Sequence, residues 1–222
     1  MYFLFNVCLN CGEYRVDKYI EVKAGSSYAL CPVCGYGHPF LRMPLFVVTG
    51  ASGSGKTACV HALSSQTRDF VVMETDILWD ERYNTPDSNF REYREMWLRI
   101  AKNITQCGKP VILCGTAMPE QIEPCLERRY FSDVFYLALV CSDDALIARL
   151  KNRPSWRASG DHEFINSMLR YNQWLKEHGP VNDPIIYTLD TTEQSPPESA
   201  VGIHEWAAGL AGASLAYWHT GL

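Results

Sequence analysis

Long hydrophobic runs are missing from this chain. The opening MYFLFNV is apolar for only seven residues and follows no basic region, so neither a secretory signal nor a membrane span is expected there. Charge is scarce as well. With 20% charged and 47% apolar residues, the composition excludes a disordered polyelectrolyte and argues for a packed core. An excess of positive charge is also absent. Twenty Lys and Arg against 25 Asp and Glu leave a net charge of −5, which carries no overall nucleic-acid signature. Cysteine, by contrast, is plentiful, and its count of nine is odd. Cys59, Cys107, Cys114, Cys125 and Cys141 fall in apolar or helical contexts. They read as small buried hydrophobes in a reducing, cytoplasmic setting. The 222 residues suit one medium domain with a small appendage.

The chain is organised around Gly50-Ala51-Ser52-Gly53-Ser54-Gly55-Lys56-Thr57, which fits the phosphate-binding pattern G-x-x-x-x-G-K-[ST] at every fixed position. Its context agrees. Leu45–Thr49 is a β-branched apolar run that reads as a buried strand, and Thr57–Ser65 can continue as a helix. Glycines at 50, 53 and 55 let the backbone turn its N–H groups toward phosphate oxygens, and the helix N-terminus adds partial positive charge. In this pattern Ser52, Ser54 and the glycines cradle phosphate, Lys56 reaches the β- and γ-phosphates, and the Thr57 hydroxyl sits on Mg²⁺. The expected ligand is ATP or another nucleoside triphosphate.

Ahead of the loop stand two Cys-x2-Cys pairs, Cys8 with Cys11 and Cys31 with Cys34. Two such knuckles, each followed by a glycine, suit a tetrahedral thiolate site for Zn²⁺. Four ligands leave no open position, so a structural metal is expected rather than a catalytic one. Tyr14–Val22 and Tyr28–Leu30 read as short strands between them. Residues 1–40 thus resemble a zinc ribbon, a module too small for a core of its own and dependent on metal for folding. Two disulfides are the competing reading, disfavoured by the cysteine usage elsewhere.

From residue 44 to 208 strands and helices alternate, as in a parallel sheet covered on both faces. The candidate strands are Leu45–Thr49, Phe70–Met73, Val111–Cys114, Val134–Val140 and Ile185–Leu189. Asn89 with Glu92 forms a capping pair for a helix whose face is Phe90, Tyr93, Trp97, Ile100 and Ile104. Ser142 caps the next helix, Gly179-Pro180 stops the one after, and Ser195-Pro196-Pro197-Glu198 opens the last. Val201 and Trp206 lie on that last helix's apolar side, and residues 209–222 are left as a tail. Strand two runs into Glu74-Thr75-Asp76, beside the phosphate loop. Asp76 is the candidate catalytic base, with Glu74 a supporting metal contact; a helix cap is the competing role for Asp76. Strand three ends in Gly115-Thr116 and lacks a Walker-B aspartate, which counts against a mechanical ATPase. Arg149 and Arg153 share a helix face before a lid expected around residues 153–162, where they can hold polyphosphate.

Together, GASGSGKT, Glu74-Thr75-Asp76 and Arg149-x3-Arg153 resemble small P-loop kinases of the adenylate-kinase and shikimate-kinase type. The resemblance implies an α/β P-loop fold with a five-stranded parallel sheet. It places Lys56 and Thr57 on phosphate and Mg²⁺, Asp76 on an acceptor hydroxyl, Arg149 and Arg153 on phosphates, and Asp190-Thr191-Thr192 near the adenine. The activity it implies is transfer of the γ-phosphoryl group of ATP to a hydroxyl of a small molecule, such as a nucleoside or nucleotide. A ribbon ahead of the loop departs from the usual plan. Two other readings remain open: a polynucleotide 5′-hydroxyl kinase, for which no basic stripe supports a long polyanion, and a non-catalytic ATP-binding regulator that docks a partner through its ribbon.

Overall fold

The computed structural model describes residues 6–154 and 159–215, with side chains as far as residue 212. Residues 155–158 of the expected lid, including Trp156 and Arg157, lie outside the described residues. So do residues 1–5 of the apolar opening.

Two sheets form. The first is a small antiparallel one of β1 (Tyr19–Lys23), β2 (Ser26–Leu30) and β3 (Gly37–Phe40), in that order. The first strand starts later than the pattern predicts. Tyr14 makes only an isolated bridge to Val7, and the chain bends between them and β1, where the Arg15 guanidinium grips the Asp17 carboxylate. The third strand carries no readable signal, because Pro39 interrupts it. It can hold a proline because it is an edge strand, where one missing N–H leaves no ladder bond unmade.

The second sheet is parallel throughout, from β4 (Leu45–Gly50), β5 (Val71–Glu74), β6 (Val111–Cys114), β7 (Val134–Val140) and β8 (Ile186–Asp190). Its spatial order is β5-β6-β4-β7-β8. β4 is therefore central, and all six of its residues are buried. Helices α1 (Lys56–Gln66), α2 (Arg91–Thr105), α3 (Pro119–Ile122), α4 (Asp143–Lys151), α5 (His162–His178) and α6 (Pro196–Leu215) cover both faces. Alternation along the strands sorts the core into two layers. Leu45, Val47, Val111, Leu113 and Tyr136 meet Tyr93, Trp97 and Leu98 of α2 and Leu175 of α5. Phe46, Val48, Ile112, Leu137 and Leu139 meet Cys59 and Leu63 of α1 and Ala200, Ile203 and Ala207 of α6. Each fully buried aliphatic side chain contributes about 1.5–3 kcal/mol.

Several local expectations are corrected. The Asn89–Glu92 capping pair does not form. Asn89 and Phe90 both take left-handed backbone (φ 54° and 57°), and α2 begins at Arg91 with no side-chain cap. Packing of Phe90 on the core and on Arg94 overrides the capping preference. Val201 faces solvent, because Ala200, Ile203 and Ala207 form the inner stripe of α6. That helix runs past Gly209 to Leu215, through part of the stretch expected as a tail. Cys107 is exposed, since α2 has already ended at Thr105, while the other four core cysteines are buried. The Ser142 cap and the Ser195–Glu198 capping box form as expected.

The ribbon sheet is fastened to the core at the far end of α2. The Gln106 carboxamide donates to the Leu41 carbonyl (3.0 Å) and accepts from its N–H (2.8 Å). Tyr130 packs on Ala29 and Phe40, and Arg129 donates to the Val16 carbonyl. A buried ion pair, Lys102 Nζ to Glu127 at 2.5 Å, joins α2 to the turn that carries Arg129 and Tyr130. No helix among the described residues is long and apolar enough to cross a membrane.

Candidate active site and four-cysteine cluster

The phosphate loop sits at the carboxyl end of the central strand, where open parallel sheets bind their ligands. Glycine is required at two of its positions. At Gly50 (φ 141°) an added Cβ would lie 2.5 Å from the Leu139 carbonyl oxygen, and at Gly53 (φ 94°) it would lie 2.9 Å from Leu146 Cδ1. The loop is thus pressed onto β7 and α4 with no room for a side chain. Gly55, also left-handed, precedes the first residue of α1, so the free N–H groups of that helix open onto the loop. The Thr191 hydroxyl donates to the Ser54 carbonyl (3.0 Å) and anchors the loop to the turn after β8.

A cavity of about 670 Å³ opens over this loop. Ser52, Gly53, Ser54, Gly55, Lys56 and Thr57 line it, and Asp76, Arg149 and Arg153 reach the same space. Gly50 stays beneath, and its carbonyl accepts from Lys56 Nζ (2.7 Å), as does that of Ala51 (3.0 Å). Burial of this ammonium pulls its pKa from 10.5 to about 8; Asp76 opposes that shift and Arg153 adds to it. The Thr57 hydroxyl donates to the Glu74 carboxylate at 2.6 Å, across the end of β5. A hydroxyl and a carboxylate in contact beside a phosphate loop are hard oxygen donors of the kind Mg²⁺ takes.

Asp76 is exposed and lies in a short 3₁₀ turn, Thr75–Leu78. Its side chain caps no helix in that turn, whose N-cap is Glu74. Arg149 and Arg153 differ in their attachments. The Arg149 guanidinium donates to the Thr191 hydroxyl (3.1 Å) and carbonyl (2.6 Å) and to the Thr192 carbonyl (3.3 Å), so it is bound to the turn after β8. Arg153 is half-buried on the cavity wall.

Sequence reasoning missed the residues that set the acidic turn in place. Tyr93 Oη donates to the Thr75 carbonyl (2.5 Å). Arg94 Nη2 donates to the Thr116 carbonyl (2.7 Å) and to Gln121 Oε1 (3.0 Å). One signal was available: Arg94 is a charge on the apolar stripe of α2, between Phe90 and Trp97. Gly115 is fixed by Thr75, whose Oγ1 would stand 1.8 Å from an added Cβ.

At the other end of the molecule, the four sulfurs of Cys8, Cys11, Cys31 and Cys34 lie within 4.8 Å of one another. The two knuckles repeat one geometry. Gly12 N donates to the Cys8 carbonyl and Gly35 N to the Cys31 carbonyl, both at 2.9 Å, with the glycines at φ 77° and 71°. The Cys8–Cys34 and Cys11–Cys31 sulfurs are 3.7 and 3.8 Å apart, far beyond a disulfide bond. They match the roughly 3.8 Å between ligands of a tetrahedral ion with bonds of about 2.3 Å. The Asn10 side chain, then the Tyr36 N–H, draw the Cys34 thiol down to about 6.

Comparison with known proteins addresses the fold. The tunicamycin resistance protein of Deinococcus radiodurans superposes with a TM-score of 0.55 over 75% of this chain and 96% of its own, at 16% identity. A gluconokinase from Sinorhizobium meliloti 1021 superposes with a TM-score of 0.52 over 78% of this chain and 95% of its own, at 19% identity. The chain has a P-loop kinase fold. No protein-family model matches the sequence, and comparison with curated proteins gives no match. The parallel sheet carries the loop at its centre and the cavity above it, and the four-cysteine sheet precedes it in the chain.

Proposed function

We propose that this protein is an ATP-dependent phosphotransferase that moves the γ-phosphoryl group to a hydroxyl of a small molecule. The observation that carries the reading is convergence on one cavity: the phosphate loop, the Thr57–Glu74 contact and the Asp76 carboxylate meet there from two different strands. The phosphoryl group comes from bound ATP, with Mg²⁺ neutralising its charge. The rest is done by this chain. The loop N–H groups and Lys56 hold the polyphosphate, the lysine exchanging its two carbonyls for phosphate oxygens. Thr57 and Glu74 would hold the metal. Asp76 orients the acceptor hydroxyl and takes its proton as that oxygen bonds to the γ-phosphorus and the bond from phosphorus to the β,γ-bridging oxygen breaks, ADP leaving with that electron pair. Arg153 steadies the transferring charge from the cavity wall. Arg149, through Thr191 and Thr192, braces the turn that would border the adenine.

In the same reading, residues 1–40 are a zinc-ribbon module with one structural Zn²⁺ on the four thiolates. Residues 44–208 are the kinase domain, with a lid around 153–162. The setting is a reducing cytoplasm, in keeping with nine free thiols. The small-molecule acceptor is favoured over a polynucleotide because the ribbon's basic residues are already engaged: Arg15 with Asp17, Lys23 with Glu21, and Lys18 buried.

Asp76→Asn tests the chemistry. It should leave ATP affinity within a few-fold and lower acceptor-dependent ADP release by about 10²–10⁴-fold. Since Asn caps a turn about as well as Asp, normal turnover in this variant would remove Asp76 from the reaction.

A further inference from the structure

We propose that the phosphoryl acceptor is an uncharged or cationic hydroxyl compound bearing a flat ring, seated against Trp79 beside Asp76. This rests on the kinase reading above and names the acceptor that the same site would take.

The argument starts from the turn that carries Asp76. A 3₁₀ helix has three residues per turn, so positions three apart stand one above the other. Trp79 N donates to the Asp76 carbonyl at 3.1 Å and closes that turn, which keeps Trp79 within one turn of the carboxylate, at the edge of the cavity that Asp76 lines. Two aromatic rings among the described residues meet its indole. Tyr93 meets it edge-on at 5.2 Å, and Phe90 lies tilted at 6.2 Å. Tyr93 is itself locked, 2% exposed with its hydroxyl on the Thr75 carbonyl. Trp79 nonetheless keeps 45% of its surface open, and Ile77 and Leu78, between it and Asp76, keep 68% and 40%. Three successive exposed apolar side chains next to a reactive carboxylate form a surface that water solvates poorly and a ring would cover. The support beneath them is strained. Asn89 and Phe90 both hold left-handed backbone, a cost usually kept where geometry serves binding.

Charge selects among ring compounds. Between residues 76 and 87 the acids are Asp76, Asp80, Glu81 and Asp87, and the only base is Arg82. Arg82 lies 3.6 Å from the Asp80 carboxylate and over the Tyr83 ring, so its charge is offset by its neighbour. The nearby buried cation, Arg94, is turned onto the Thr116 carbonyl and Gln121. This turn thus carries net negative charge, and in the kinase reading Lys56 and Arg153, which share the cavity with Asp76, are taken up by the polyphosphate; an anionic acceptor is therefore disfavoured where a neutral or cationic one is not.

The test uses the full chain with ATP and Mg²⁺ and follows ADP release. The acceptors are uridine (neutral, ring-bearing), 2-amino-1-phenylethanol (cationic, ring-bearing), gluconate and shikimate (anionic), and glycerol (neutral, without a ring). Uridine or the phenylethanolamine should exceed the other three in kcat/KM by at least about ten-fold, the worth of one stacked ring. With the better acceptor, Trp79→Ala should raise KM about ten- to a hundred-fold with kcat within a few-fold, and Trp79→Phe should retain most of the affinity. Preference for gluconate, shikimate or glycerol would overturn this proposal and leave the kinase reading standing. Bound ATP with no turnover on any of the five would overturn both. Loss of kcat at unchanged KM in a folded Trp79→Ala or Trp79→Phe protein would overturn the seat at Trp79.

Discussion

Raising the pH should strip the proton from Lys56 and weaken ATP binding in proportion. In the ligand-free loop the ammonium sits on the Gly50 and Ala51 carbonyls, and burial lowers its pKa to about 8. Polyphosphate stabilises the charged form, so ATP binds the protonated loop and returns the pKa upward. With a pKa near 8, roughly nine-tenths of the free protein carries this proton at pH 7 and about 3% at pH 9.5. Apparent ATP affinity should therefore fall about 30-fold across that interval, close to 2 kcal/mol. Calorimetry in buffers of different ionisation enthalpy should register uptake approaching one proton at the alkaline end. In Lys56→Met affinity should be low and nearly independent of pH. The sign for stability follows from the same shift. Between pH 8 and 10.5 the unfolded chain holds more protons at this residue than the folded one, so this group's burial cost is full below pH 8 and relieved as pH rises. A flat affinity profile from pH 7 to 9.5, or the same slope in Lys56→Met, would refute the assignment of the lysine to phosphate.

Gly115→Ala should destabilise the fold by about 1–3 kcal/mol in denaturant titration and depress turnover, because its Cβ would displace Thr75 and with it Glu74 and Asp76. Adding Thr75→Ala should recover part of the loss, and a purely additive pair would refute the contact. Glu127→Gln should cost about 3–5 kcal/mol by leaving the Lys102 ammonium buried without its carboxylate. Lys102→Met with Glu127→Gln should be more stable than Glu127→Gln alone; if it is not, the cost does not come from the stranded charge. Purified protein should hold about one Zn²⁺ per chain on the four-thiolate rule. Cys31→Ser should lower the metal content and raise hydrogen exchange around Ala29 and Phe40 before β4; metal-free wild type prepared without chelator would refute the site.

Much of this molecule was legible because it is local. The phosphate loop needs glycine at positions where a Cβ would strike β7 or α4, and an eight-residue word records that need. Apolar runs marked all five core strands to within a residue or so; β4, β6 and β7, buried along nearly their whole length, have no polar alternation to confuse. The two cysteine knuckles were readable for the same reason: each is one tight turn closed by its own glycine.

What the sequence could not decide is which distant groups share a partner. The spacing paired Arg149 with Arg153, and both line the cavity; only the fold shows that the Arg149 guanidinium also meets Thr191 and Thr192, some forty residues onward, because α4 packs beside the turn after β8. Asn89 has the chemistry of a cap, but Phe90 gains more by docking on the core. Glu74 was expected beside the phosphate loop; the strand order β5-β6-β4 adds its direct contact with Thr57. Trp79 carried no signal in the sequence; only the fold shows it against Tyr93 and Phe90 with nearly half its surface open. Backbone torsion and turn chemistry are settled within a few residues and so are written in them. Partnerships across the fold are settled by which surfaces exclude water together, and that depends on every element at once.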